Sequence, residues 1–250
     1  MRPIFATSAL KFIRGHKDKP FFLYYPTTVP HLALQVPEDS LAEYQGRLND
    51  KPYPGGNGYL PQQYPRAAYA AMITRMDGDI GKMVQLVKDL GLEDNTIFIF
   101  TSDNGAVFPL AGVDPVYFHS NGNLRGYKQD IYEGGIRAPL IVSWKGHIPA
   151  GTTSSLVTGF EDWFPTLLEL ASGSNAAPKN LDGISFAPTL LGGKQPECPF
   201  LYREFYGAGG QQAVRVGDWK LVRRHLLATP KNPAAPTKEL YELATDPAEK

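Results

Sequence analysis

Apolar residues fall along this chain in two kinds of pattern, short unbroken runs and runs spaced at three and four. Thr96-Ile97-Phe98-Ile99-Phe100-Thr101 is an unbroken apolar run with polar ends. That is the pattern of a strand covered on both faces, which has no solvent side on which to alternate. Phe21-Phe22-Leu23-Tyr24-Tyr25, opened by Lys19-Pro20, predicts a central strand of the same kind, and Leu140-Ile141-Val142-Ser143-Trp144 is a further apolar run. Leu156 to Phe160 is expected to add another strand. Helical spacing appears at Ala9, Leu10, Phe12 and Ile13, with Gly15 as the stop. It appears most clearly after Pro65, where Tyr69, Met72, Ile73, Met76, Ile80, Met83, Val84 and Val87 recur up to Leu90-Gly91. The methionines there read as core filler, and Asp77 and Asp79, two apart, point in different directions and make a poor paired site. Glu161 to Leu170 predicts a helix with its acids near the start, where the macrodipole favours them.

This alternation of helix and strand implies an α/β fold, a mainly parallel sheet flanked by helices. Between about Glu38 and Gln63 the prolines and glycines predict a long irregular loop. Its Tyr44, Tyr53 and Tyr59 serve either as anchors or as the lining of a sugar-binding cleft. Gly173 through Lys179 reads as a small-residue linker. After about Glu197 the pattern changes. Phe200 to Tyr206, Gln212 to Val216 and Trp219 to Val222 are short strand-like runs, and Gly217-Asp218 is a hairpin turn. A small antiparallel sheet follows from this, so the expected division is a main α/β domain over 1–197 and a small β subdomain over 198–250.

Composition narrows the function classes. Lys plus Arg equals Asp plus Glu at 25 each, so no net field favours nucleic acid or an anionic membrane surface. No apolar stretch approaches membrane-spanning length, and the first residues lack the apolar core of a secretory signal. Cys198 is the single cysteine, which excludes an intrachain disulfide and a multi-cysteine metal site. It is expected at the start of a strand, as a small buried residue.

The candidate chemistry sits at the predicted carboxyl ends of strands, where open α/β sheets place their ligands. Asp103 and Asn104 follow the Thr96 strand and offer a carboxylate and an amide oxygen, the hard donors Ca²⁺ or Mg²⁺ prefers, with Gly105 to turn the backbone behind them. Alone, the three residues are more often an ordinary turn. His31 follows Pro30 in a proline-stiffened loop after Phe21–Tyr25. Lys128 stands in a later loop, close in sequence to His119, a pocket candidate, and both precede Glu133-Gly134-Gly135-Ile136-Arg137-Ala138-Pro139. The glycines of that stretch read as structural, permitting close backbone approach, and Arg137 as internally paired.

Ser102-Asp103-Asn104-Gly105, Leu124-Arg125-Gly126-Tyr127-Lys128 and Tyr132-Glu133-Gly134-Gly135-Ile136-Arg137-Ala138-Pro139, in this order, resemble the sulfatase family, the arylsulfatase-type members of the alkaline phosphatase superfamily. The resemblance covers nearly the whole chain. It implies an alkaline phosphatase-like fold and hydrolysis of a small-molecule or carbohydrate sulfate ester. It also implies Asp103 and Asn104 as metal ligands, Lys128 holding a sulfate oxygen, and His31 hydrogen-bonding the ester or protonating the leaving alkoxide. An ammonium suits a delocalised oxyanion, and an imidazole with a pKa of about 6.5 suits proton transfer. The family's export to periplasm or exterior comes with it, as does a closing strand at Glu239-Leu240-Tyr241-Glu242-Leu243.

Three family features have no counterpart: the Cys- or Ser-x-Pro-x-Arg stretch whose first residue becomes the formylglycine nucleophile, the early aspartate pair, and the Lys and His that precede Phe21–Tyr25 in the family. All belong to the family's N-terminal half. The chain is therefore expected to be the C-terminal part of a sulfatase, inactive alone, with formylglycine supplied by the other half. The same residues would serve a phosphate or phosphonate monoester hydrolase of the superfamily, since both substrates are tetrahedral oxyanions. A non-catalytic sugar- or anion-binding protein is the reading from a different class.

Overall fold

Pro65 starts the longest helix of the structure, a computed structural model that describes residues 4–173, 178, 180–227 and 235–250. With its missing N–H and fixed φ, proline fits the first helical turn. The helix, α3 (Pro65–Asp89), ends near Leu90-Gly91 as the spacing predicts. Helices α1 (Ile4–Gly15) and α2 (Glu38–Ala42) pack on it. The buried stripe of α3 differs somewhat from the expected one: Ala67, Ala68, Ala71, Met72, Met83, Leu86 and Val87 are buried, whereas Ile73 is exposed. Ala68 and Met72 form a core with Leu34 and Val113, and Val29, Leu32, Val36 and Leu41 pack against it.

The chain divides into two compact units, one comprising residues up to Thr96 with Ala106–Ser120, the other Ile97–Gly105 with Asn121–Lys250. In the first unit two expectations change. Phe21–Tyr25 joins no ladder, and Phe22 and Tyr24 are 72% and 75% exposed. A strand needs neighbours to bond to, and none of the described residues supplies them here. The expected loop over 38–63 contains α2 and a small hairpin closed by Tyr53–Gln62 and Gly56–Tyr59 bridges. The Tyr44 hydroxyl lies 2.6 Å from that of Thr74, and Tyr53 donates to Gly56 O at 2.6 Å, so both act as anchors.

In the second unit β1 (Phe98–Thr101) pairs antiparallel with β2 (Leu140–Ser143), Phe98 opposite Ser143. The mainly parallel sheet is therefore not what the described strands form; every pairing among them is antiparallel. Continuous hydrophobicity reports burial and leaves strand direction open, and even the burial is incomplete, with Ile141 exposed. Between these strands lies one short helical turn, α4 (Glu133–Ile136). Residues 156–159 join no ladder, in place of the expected strand, and Phe160–Asp162 is a 3-10 turn. That turn leads into α5 (Trp163–Ser172). Asp162 organises the entry, accepting from Gly159 N at 2.7 Å and Ile184 N at 2.8 Å. Of the linker expected over 173–179, all but Gly173 and Pro178 lies outside the described residues.

After α6 (Ala187–Leu190) comes the expected antiparallel sheet, β3 (Leu201–Phe205), β4 (Gln211–Val216), β5 (Trp219–Arg224) and β6 (Thr237–Glu242), in chain order. Gly217 turns β4 into β5 with φ +54°. Cys198 is exposed, against expectation. It precedes β3 in an irregular segment, so no sheet face covers it.

Candidate functional site

Strand β1 delivers Ser102-Asp103-Asn104-Gly105 just beyond its carboxyl end. Asp103 is exposed, and its carboxylate forms no hydrogen bond or ion pair among the described residues. Asn104 is half-buried. Its Nδ2 donates to Gly105 O at 2.9 Å, which leaves the amide oxygen available. Gly105 serves close approach: its N donates to Gly135 O at 2.9 Å, and a Cβ there would meet Gly134 O at 2.1 Å.

The same two glycines hold the lysine loop. Gly134 N donates to Arg125 O at 2.7 Å, and a Cβ on Gly134 would lie 2.4 Å from Gly126 O. One on Gly135 would lie 2.3 Å from Asp130 O and 2.4 Å from Tyr127 O. The backbone of 133–135 thus packs against the end of β1 and against the loop 125–130, and no side chain fits between. This is the close approach expected of Glu133-Gly134-Gly135. It mounts Asp103, Asn104 and Lys128 on one scaffold.

Lys128 is half-buried, and its ammonium has no hydrogen bond or ion pair among the described residues. It occupies a tight turn closed by Asp130 N donating to Tyr127 O at 2.8 Å and Tyr127 N donating to Asp130 Oδ2 at 3.1 Å. Its three N–H donors are therefore open to an external acceptor.

Charged residues beyond the sequence-level candidates surround this loop. Glu133 is 3% exposed, and its carboxylate is 2.8 Å from Lys220 Nζ and 2.7 Å from Arg137 Nε. Arg137 is therefore paired internally, as expected. Burial pushes the Glu133 carboxyl up, but Lys220 and Arg137 outweigh it and hold it below the usual glutamate range. Glu249 also lies 2.8 Å from Lys220 Nζ and accepts from Glu133 N at 2.6 Å. Arg125, stacked over the Tyr132 ring, donates to Tyr241 Oη at 2.7 Å and Glu249 O at 2.8 Å. Burial and a bond to Glu239 push the Tyr241 phenol up to about 12. Sequence reading missed Lys220 and Gln211. The signal it could have used is period two: on β4 and β5 these polar residues share a face with Ala213 and Val222.

His31 and His119 lie in the first unit. The His31 ring is exposed and its Nδ1 is 2.9 Å from Leu32 O; a carbonyl only accepts, so Nδ1 carries the proton and Nε2 is left for a ligand. A turn with His31 N donating to Thr28 O at 2.7 Å sets the backbone. His119 is exposed, with φ +48°, at the end of a segment tied to α3 by Arg66–Asp114 at 2.7 Å. The Arg66 bond holds the Asp114 carboxyl below its ordinary range.

Asp103 and the Asn104 oxygen fit one side of a hard-cation shell, but Ca²⁺ takes about six to eight oxygens. Among the described residues no cluster of three or more His, Cys, Asp or Glu could complete it.

The Sulfatase family profile matches residues 3–174, and the profile described as N-sulphoglucosamine sulphohydrolase, C-terminal, matches 126–250. Human N-acetylgalactosamine-6-sulfatase is 34% identical over 218 residues, 87% of this chain and 37% of its own length. Human arylsulfatase A is 33% identical over 207 residues, 82% of this chain and 36% of its own. Among solved structures, Ps i-CgsB in complex with k-i-k-neocarrahexaose superposes with a TM-score of 0.77 at 26% identity, over 99% of this chain and 49% of that one. The chain thus spans between a third and a half of the length of these relatives.

Proposed function

The chain belongs to the sulfatase family, and from that premise we propose that it forms the metal- and sulfate-holding part of a sulfuric ester hydrolase acting on a small-molecule or carbohydrate sulfate. The observation that carries this reading is the half-buried, unpartnered Lys128 on the same glycine scaffold as Asp103 and Asn104. Lys128 would bind a non-bridging sulfate oxygen as charge gathers there. Asp103 and Asn104 would ligate Ca²⁺ or Mg²⁺, together with oxygens from a further segment; the bound cation would neutralise sulfate charge. To His31 the reading assigns hydrogen bonding to the ester or protonation of the leaving alkoxide, for which Nε2 must carry a proton as imidazolium. His119 is the candidate for contact with the rest of the substrate.

The nucleophile, formylglycine in this family, is assigned to a longer polypeptide, because no Cys- or Ser-x-Pro-x-Arg stretch occurs in these 250 residues. The division at 197/198 belongs to the same proposal, as do export of the intact protein and entry of Phe21–Tyr25 into a parallel sheet. Among the described residues no helix is long and apolar enough to cross a membrane.

The test is to express the chain with its in-frame upstream sequence and assay 4-nitrophenyl sulfate beside 4-nitrophenyl phosphate. Sulfate hydrolysis is expected, with Lys128→Ala lowering kcat by about 10²-fold or more, the usual cost of one oxyanion donor. Preferential phosphate hydrolysis, or indifference to Lys128→Ala, would refute the reading.

A further inference from the structure

We propose that Gln211, on β4 of the C-terminal sheet, is a positioning residue that sets Lys128 for sulfate; this rests on the reading of Lys128 given above. Register pairs Gln211 with Arg224, Ala213 with Val222 and Arg215 with Lys220. Alternation along each strand therefore places all six on one face. Ala213 and Val222 pack on Ile131 and Tyr132. The polar residues on either side of them reach the same short segment. Lys220 meets Glu133 at 2.8 Å, Arg224 approaches Asp130 at 3.9 Å, and Gln211 Nε2 donates to Gln129 O at 2.8 Å.

Gln129 directly follows Lys128 and has φ +79°, the conformation a type II turn demands at its third position and one that favours glycine. A glutamine held there is strained, so the turn needs an external tie to persist. Gln211 supplies it from a rigid strand.

The cost to the sheet supports a role outside it. Gln211 is 1% exposed on an otherwise packed face, and its Oε1 is buried with no partner among the described residues. An apolar residue would serve packing better. A local rule broken at such a position marks function more often than fold.

The experiment compares wild type with Gln211→Met, which keeps the volume and removes the donor, and Gln211→Asn, which keeps an amide but shortens its reach. Amide hydrogen exchange on the chain itself should be about ten-fold faster at Tyr127 and Asp130, the loss of one hydrogen bond, with the Ala213 and Val222 amides unchanged as the control for folding. In the upstream-extended protein, Gln211→Met should lower kcat/KM for 4-nitrophenyl sulfate by about ten-fold. Combined with Lys128→Ala it should add nothing, because the two act through one group. Unchanged exchange at Tyr127 and Asp130, or losses that add, overturn the assignment while Lys128 keeps its role. A fully active Lys128→Ala protein overturns the reading of the site and this role with it, whatever the exchange data report about the turn.

Discussion

At the scale of single residues, the candidate site is decided by what is absent from two α-carbons. Gly134 and Gly135 have no side chain, and the spaces a Cβ would fill are occupied by carbonyl oxygens of Arg125, Gly126, Tyr127 and Asp130. Backbone atoms in a closed turn cannot step aside as a flexible side chain can. Gly134→Ala is therefore expected to destabilise the chain by about 3 kcal/mol, at the upper end of overpacking costs. The readout is the urea midpoint, with Gly146→Ala as the comparison, since nothing lies within 4 Å of a Cβ there. Gly146 has φ +79°, so its own substitution carries backbone strain but no clash. Gly134 lies in α4 and has no positive φ, so a loss there no larger than the one at Gly146 would mean that close approach does not constrain position 134.

At the scale of elements, the C-terminal sheet does more than close the unit. Its β4–β5 face carries a buried lysine, and a buried charge is tolerable only with partners. Lys220 finds two carboxylates, Glu133 and Glu249. Glu133→Gln should cost about 3 kcal/mol at neutral pH, the lower range for breaking a buried pair. The pH dependence follows from direction. The folded state holds Glu133 below its ordinary value of 4.5, so its contribution is full above that pH and is lost as pH falls through the lower folded value. Glu249 has the opposite sign, since burial first raises it despite Lys220, and its contribution is lost as pH rises through the raised value. The difference in unfolding free energy between wild type and Glu133→Gln isolates the first effect. That difference should shrink as pH drops below 4.5. A constant difference would show that Glu133 acts through packing alone.

At the scale of the whole chain, the proposed site is a partial ligand set on a scaffold whose apolar runs are incompletely covered. Phe22, Tyr24 and Ile141 present large apolar surfaces, and Asp103 and Asn104 are two donors where a hard cation needs several more. These 250 residues alone should therefore bind Ca²⁺ no more tightly than about 1 mM by calorimetry, the weak end for oxygen-ligated sites. They should also release no nitrophenol from 4-nitrophenyl sulfate. Turnover by the chain alone would show that it contains its own nucleophile and would remove the need for a longer partner sequence.

Much of this was legible in the chain itself. Helical spacing fixed α1 and α3, and the hairpin at Gly217 with its flanking runs fixed β4 and β5, because periodicity is a local property that each segment carries alone. The ordered motifs around Asp103, Lys128 and Glu133 identified the family, and the glycines' task was foreseen. Strand direction was not legible: β1 and β2 look like parallel core strands in sequence and pair antiparallel. Nor were the partners of Lys220 and Gln211, which lie 87 and 82 positions away. A ladder, a buried ion pair or a bond to a distant carbonyl depends on which segments meet. Hydrophobic pattern records only that a residue is to be covered, and tertiary structure alone decides by what.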